Sequence, residues 1–272
     1  MTIESTLKDA KLKLEQADIP SARLDAELLL AFVLAKPREW LIAHNNDKLT
    51  KVQFEKFNEA TRRRIEHEPV CYITNKLEFY GIDFYVDNRV LAPRAETELV
   101  VEQAIKNAPK SSKLIDIGTG SGAIAIAIAK NRPDLKITAT EVSPEALEVA
   151  KLNAKNILGK DNKIKFIEAD IWDGVTGKFE TVVTNLPYVS EDYKPRMKPE
   201  VAKEPAVALF GGEGDGLDLY RRFYKDLPEH IKSGSLVYHE SDPWQHEELK
   251  KMANQIGLKA ILEDYLILGF QK

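Results

Sequence analysis

Cysteine is almost missing from this chain: Cys71 is the only one in 272 residues. A single thiol excludes an internal disulfide framework and fits a reducing compartment. Between Val70 and Tyr72 it reads as a packed small hydrophobe. No apolar run reaches membrane length, since the longest, Leu28 to Ala35 (LLLAFVLA), is far too short to span a bilayer. The opening stretch MTIESTLKDAKLKLEQ carries acids and no apolar core segment, so it fits neither a secretory signal nor a transit peptide. A cytoplasmic protein is expected. Excess positive charge is lacking too: the net charge is −4 and the pI near 5.9, which implies no bulk attraction to nucleic acid. Arg62-Arg63-Arg64 is a candidate local basic patch, expected on the solvated face of a helix.

What is present is ordinary for a globular chain. With 43% hydrophobic and 30% charged residues, disorder is excluded, and the length accommodates two domains. Residues 3–68 read as helical throughout. Leu7, Leu12 and Leu14 mark a first amphipathic segment ending near Pro20; Ser21 is placed to cap a helix over Ala22 to Leu34, and Thr50 another over Val52 to Ile65. No phosphate loop, metal cluster or nucleophile stands out there. At 76–94 the period shifts towards two, KLEFYGIDFYVDNRVLAPR, predicting a hairpin with Gly81 and Asp87-Asn88 available for turns. Thr97 either caps or sits within a helix that runs to about Ala108, where Pro109 stops it.

From Lys113 strands and helices alternate: KLIDIG, AIAIAIAKN, KITATE, PEALEVAKLNAKNI, IKFIEAD, FETVVTN and later SGSLVYHE. This βαβ order predicts a doubly wound sheet with ligands at the carboxyl ends of its strands. The domain boundaries expected are 1–75 for a helical domain, 76–92 for a hairpin linker and 93–272 for the catalytic domain.

Every chemical feature falls at a strand end. Gly118-Thr119-Gly120-Ser121-Gly122 lets the backbone turn sharply and brings a ligand close to the amides of the next helix. It suits a dinucleotide or an S-adenosyl nucleoside. Glu141, 23 residues after Gly118, can accept both hydroxyls of an adenosine ribose, which fits either ligand. Asp170 can accept from an adenine amino group or cap a turn; Ile171 offers an apolar contact, and both Ile171 and Trp172 could equally be core. The fourth strand runs into Asn185-Leu186-Pro187-Tyr188. A dehydrogenase has no use for this tetrapeptide, whereas an S-adenosyl-L-methionine enzyme acting on a planar nitrogen does. Asn185 Oδ1 and the Leu186 carbonyl can accept the two N–H hydrogens of an amide, with Pro187 stiffening the turn and Tyr188 flanking the target. Catalysis would then rest on positioning and fixed dipoles.

The chain resembles the release-factor N5-glutamine methyltransferases over nearly its full length. EHEPVCYI (66–73), EFYGIDFYV (78–86), LAPRAETELV (91–100), LIDIGTGSGAIAIAIA (114–129), NLPYV (185–189) and EPAVALFGGEGDGLDLYR (204–221) carry the likeness. The resemblance implies an α/β fold: a Rossmann-like S-adenosylmethionine-dependent methyltransferase domain, a small N-terminal helical domain and a linking β-hairpin. It implies methylation of the glutamine in the Gly-Gly-Gln motif of class I peptide chain release factors, the helical domain helping to bind the factor. By analogy, Gly118 to Gly122, Glu141, Ile171 and Asn185 contact the cofactor, and Asn185 to Tyr188 the glutamine. Leu186 replaces the first proline of the usual Asn-Pro-Pro-Tyr, and Glu240-Ser241-Asp242 stands where Glu-Ile-Gly is usual.

Three other functions fit parts of the pattern. Asn-Leu-Pro-Tyr is also the form in ribosomal-RNA adenine dimethyltransferases, so adenine-N6 methylation of RNA or DNA is the main alternative; the acidic balance and the 204–221 stretch count against it. A nicotinamide oxidoreductase would explain the glycines but not Asn185, and a silent cofactor-binding module would leave Asn185 dispensable. A monomer without stable nucleic-acid binding, membrane association or bound metal is expected.

Overall fold

A computed structural model describes residues 1–272, and the chain separates into two compact units. The first comprises Met1–Lys76 together with the distant segment Lys198–Lys203; the second comprises Leu77–Met197 and Glu204–Lys272. No helix in either is long and apolar enough to cross a membrane.

The first unit is helical: α1 (Ile3–Gln16), α2 (Ala22–Leu34), α3 (Arg38–Ala43), α4 (Lys51–Ile65) and α5 (Val70–Thr74). Thr2 and Thr50 close reciprocal capping boxes with Ser5 and Gln53, satisfying the first free amides of α1 and α4. Ser21 occupies the cap position of α2 but makes no cap; its hydroxyl donates to Asp25 Oδ2 instead. The α1 stripe expected from Leu7, Leu12 and Leu14 is narrower than the sequence suggests. Leu14 is fully buried, whereas Leu12 is 49% exposed.

The triple arginine does not form a basic patch. Arg62 is tied to Glu59 and Glu66, and Arg63 to Glu68. Arg64 is buried, contrary to the solvated face expected for it: its guanidinium donates to Asp25 Oδ2 at 2.7 Å and to Glu200 Oε1 at 2.9 Å. Glu200 belongs to the 198–203 segment, so that segment joins the helical unit through a buried charge. The three arginines differ because only position 64 of α4 faces α2.

The second unit opens with β1 (Leu77–Phe79) and β2 (Ile82–Phe84), joined by Tyr80-Gly81, both at positive φ (52° and 67°). That two-residue turn twists with its strands, which is why the hairpin was readable. Then come α6 (Glu98–Asn107), β3 (Lys113–Ile117), α7 (Ala123–Asn131), β4 (Lys136–Glu141), α8 (Pro144–Leu158), β5 (Lys165–Glu168) and β6 (Phe179–Thr184). Two short strands, β7 (Val189–Ser190) and β8 (Phe210–Gly212), pair in parallel. The chain ends with α9 (Asp218–His230), β9 (Ile231–Glu240), α10 (His246–Gln255), β10 (Lys259–Asp264) and β11 (Ile267–Gln271).

The main sheet has the order β10-β11-β9-β6-β3-β4-β5. Strands β9, β6, β3, β4 and β5 are parallel, while β11 and β10 run antiparallel at one edge. Helices α9 and α10 and the edge pair were not expected from the sequence. Strand order reverses between β3 and β6, which opens a crevice at their carboxyl ends.

Arg64→Ala would strand the Asp25 carboxylate in the interior. We expect it to lower the stability of the helical unit by about 3–5 kcal/mol, whereas Arg62→Ala leaves the urea midpoint unchanged. Equal midpoints for the two variants would contradict the buried-charge reading.

Candidate active site

The glycine loop leaves β3 at Gly118 and enters α7 at Ala123. Its amides are tied to neighbouring structure: Thr119 N–H donates to the Thr140 carbonyl of β4 at 2.8 Å. Beneath it, Asp116 is fully buried, and its Oδ2 accepts from Thr119 Oγ1 (2.6 Å) and Ala125 N–H (3.2 Å). Burial pushes the Asp116 carboxyl from its ordinary 3.8 up to about 7, against those two hydrogen bonds. The glycines are not equivalent. A Cβ at Gly122 (φ +82°) would lie 2.7 Å from Ile126 Cδ1 and 3.3 Å from Ala150, so that glycine serves helix packing. A Cβ at Gly120 (φ +55°) would meet nothing within 4 Å.

Glu141 ends β4 and turns back towards the loop. Its Oε2 accepts from Gly120 N–H (2.9 Å) and its Oε1 from Ser143 N–H (3.0 Å), while Ser143 caps α8 through Ala146 N–H. Both oxygens keep a lone pair for a further donor. Asp170 follows β5 and accepts from Arg222 Nη2 at 2.8 Å, a pair exposed to solvent. Ile171 is buried at φ +56°. Trp172 is core: its indole N–H donates to the Phe223 carbonyl and its ring stacks on His230 at 4.3 Å.

The Asn185-Leu186-Pro187-Tyr188 segment is held on every side. Asn185 Nδ2 donates to Thr97 Oγ1 (3.2 Å), and Thr97 Oγ1 donates to Glu240 Oε2 (2.5 Å). Tyr188 donates its hydroxyl to Glu240 Oε1 at 2.8 Å. Glu240, for which the sequence left open both holding the target loop and mere exposure at a strand end, is 1% exposed and holds the loop; burial raises its carboxyl above the usual range although Thr97, Tyr188 and Asn185 pull it down. Burial, then the Glu240 charge, raises the Tyr188 phenol. Leu186 is 4% exposed and packs into the sheet core, its Cδ2 3.3 Å from where a Gly118 Cβ would sit. The expectation that Leu186 matters only through its carbonyl therefore omits a packing role beneath the glycine loop.

The 204–221 stretch walls this segment in. A Cβ at Gly211 would fall 2.4 Å from the Pro187 carbonyl, and one at Gly216 would fall 2.3 Å from that of Tyr188. Only glycine permits those approaches. Gln245 Nε2 then bridges the Tyr188 carbonyl (2.9 Å) and the Asp215 carbonyl (2.7 Å). Arg94, for which the sequence left open lining the site or pairing with Glu96, lines the cleft and donates to the buried carboxylate of Glu204 at 2.5 Å. The segment expected as a loop at 189–203 carries β7 and short 3-10 turns.

These elements enclose a cleft of about 280 Å³. Gly118 to Ser121, Glu141, Asp170, Ile171 and Asn185 to Pro187 all line it. Gly122 and Tyr188 stand back from it. Sequence reasoning missed Arg222 and Val142 on its wall and Gln245 behind it, none of which lies in a quoted motif, and it assigned no role to Leu219 within the 204–221 stretch. The cleft fits an S-adenosyl nucleoside: Gly120 presents an open face, Glu141 a fixed carboxylate for hydroxyl donors, and Ile171 an apolar surface.

Fold and cleft together define a Rossmann-like methyltransferase. Two family models match, the PrmC N-terminal domain over residues 5–74 and the methyltransferase small domain over residues 95–207, and the cofactor is S-adenosylmethionine. The release factor glutamine methyltransferase of Koribacter versatilis is 38% identical, covering 93% of this chain and 92% of that one. That of Clostridium acetobutylicum is 33% identical over 94% and 92%. The bifunctional methyltransferase of Rickettsia felis is 31% identical over 97% of this chain but 56% of its own length. A solved methyltransferase from Pyrococcus furiosus shares the fold, with a TM-score of 0.53 over 79% of this chain and 98% of that one at 17% identity. The chain belongs to the release factor glutamine methyltransferases.

Asp116 keeps its proton in the folded chain up to about pH 7 but loses it near 3.8 when unfolded. Its contribution to stability is therefore full below pH 3.8 and is lost as pH rises towards 7. The melting temperature of Asp116→Asn minus that of the parent chain should accordingly increase between pH 5 and 8. A difference independent of pH would contradict the assignment.

Proposed function

We propose that this chain transfers a methyl group from S-adenosylmethionine to the side-chain amide nitrogen of the glutamine in the Gly-Gly-Gln motif of class I peptide chain release factors. The observation that carries this reading is the orientation of Asn185, which spends its N–H on Thr97 and leaves Oδ1 to accept from a target in the cleft.

A glutamine amide is a weak nucleophile because its lone pair is delocalised. The chain's task is thus positional. Asn185 Oδ1 and the Leu186 carbonyl accept the two amide hydrogens and hold the nitrogen's lone pair in one direction. Pro187 restricts the turn, and the wall from Glu204 to Arg221 fixes its backbone. The bound cofactor supplies a methyl on a cationic sulfur, which departs as a neutral thioether as the N–C bond forms. The amide proton becomes acidic only after that bond exists, so it passes to water and no side-chain base is required beforehand. Gly118 to Ser121, Glu141, Asp170, Ile171 and Asn185 would hold the cofactor, with Glu141 accepting from its ribose hydroxyls. Positioning of this kind contributes on the order of 7–11 kcal/mol to a reaction barrier. The helical unit would serve docking of the protein substrate, since it contributes no residue to the cleft.

Methyl-labelled cofactor offered with purified release factor and, in parallel, ribosomal RNA distinguishes the two readings of Asn-Leu-Pro-Tyr. Label is expected on the factor's glutamine; label on adenine would replace this function with the alternative. In a single-turnover assay, Asn185→Ala should retain cofactor binding in part and lose methyl transfer by orders of magnitude. Transfer at the parental rate would defeat the mechanism.

A further inference from the structure

Resting on that functional reading, we infer that Glu240 is a positioning residue that dictates which face Asn185 turns to the cleft. An ionised carboxylate only accepts. Thr97 has one hydroxyl proton and gives it to Glu240 Oε2, so towards Asn185 its oxygen can only accept. Asn185 must then present Nδ2 to Thr97, and its Oδ1 is left to face the opening that Asn185 lines. Tyr188 gives its proton to Oε1 of the same carboxylate, which fixes the other end of the tetrapeptide.

Glu240 itself has little freedom. It ends β9, paired across the sheet with Ile267, and its carbonyl accepts the Tyr220 hydroxyl at 2.5 Å. Thr97, Tyr188 and Tyr220, from three segments of the second unit, thus donate to this one residue, and the Asn185 side chain also hydrogen-bonds its carboxyl, so Nδ2 is drawn to the same side. The cleft is left displaying an acceptor, which suits a primary amide with N–H to give and disfavours a group that has only lone pairs. A reversed Asn185 would display N–H₂ to the target's own N–H₂ and repel it.

Glutamine at 240 keeps shape and volume but breaks the proton order. Its own N–H₂ must donate to Thr97 or Tyr188. When it donates to Thr97, the hydroxyl proton is released towards Asn185, whose Oδ1 turns away from the cleft. Glu240→Gln should therefore fold, bind cofactor with a dissociation constant within about twofold of the parent's, and keep its KM for release factor within about threefold. Its kcat should fall about 10²-fold, as expected for a misplaced positioning group. Thr97→Ser, which keeps the hydroxyl, should retain the activity that the isosteric Thr97→Val loses.

Equal activity of Thr97→Ser and Thr97→Val would overturn the inference, whether or not Glu240→Gln folds and whichever of its two partners the Gln amide donates to. Independently of activity, the Asn185 side-chain amide protons should exchange slowly in the parent chain and faster in Thr97→Val by NMR; equal rates would also overturn it. Absence of label on the factor's glutamine with the parent chain would defeat the functional reading instead, and the exchange measurement would still judge Glu240.

Discussion

A carboxylate shut away from water must be surrounded by donors, and in this chain that demand organises the active end of the sheet. Glu240 receives hydroxyl protons from Thr97 and Tyr188 and hands its own carbonyl to Tyr220. An unpaired buried charge would cost several kcal/mol, so the three donors and the strand that carries Glu240 are locked together. Asn185 inherits its orientation from that arrangement. The tetrapeptide that grips the target is thus set by a residue that never reaches the cleft.

A second constraint is the thinness of the surrounding wall. The 204–221 stretch approaches the Pro187 and Tyr188 carbonyls so closely that only glycine fits at 211 and 216. Gln245 joins the same two strands of backbone from behind. Glycine at 120 has the opposite function, leaving space where a ligand can come against the loop. One residue type thus serves close backbone contact in one place and open volume in another. Leu186 adds a link between the two regions, because its buried side chain underlies Gly118.

The parallel part of the sheet was legible because its signals are local. Strand ends rich in glycine or acid, and the Ser143 and Thr50 caps, depend on neighbours a few residues apart. Even α7, whose AIAIAIA alternates like a strand, was readable as a helix from the glycine turn before it. The antiparallel edge β10–β11 was not, although it is a local hairpin, since its outer strand is mostly exposed. Arg64 was misplaced because charge alone suggests a solvated side chain, and its burial becomes reasonable only when Asp25, 39 residues away, is brought alongside. For Glu240 the sequence left open both holding the target loop and exposure, and Thr97, 143 residues away, decides for the first. The cleft's composition was therefore readable, while the scaffold behind it was not.

Neutron diffraction on crystals of the chain would locate the protons on which this account turns. The expected map has deuterium on Thr97 Oγ1 pointing at Glu240, two deuterium atoms on Asn185 Nδ2 with one directed at Thr97, and a bare Asn185 Oδ1 facing the cleft. A protonated Glu240, or Asn185 Nδ2 facing the cleft, would contradict it.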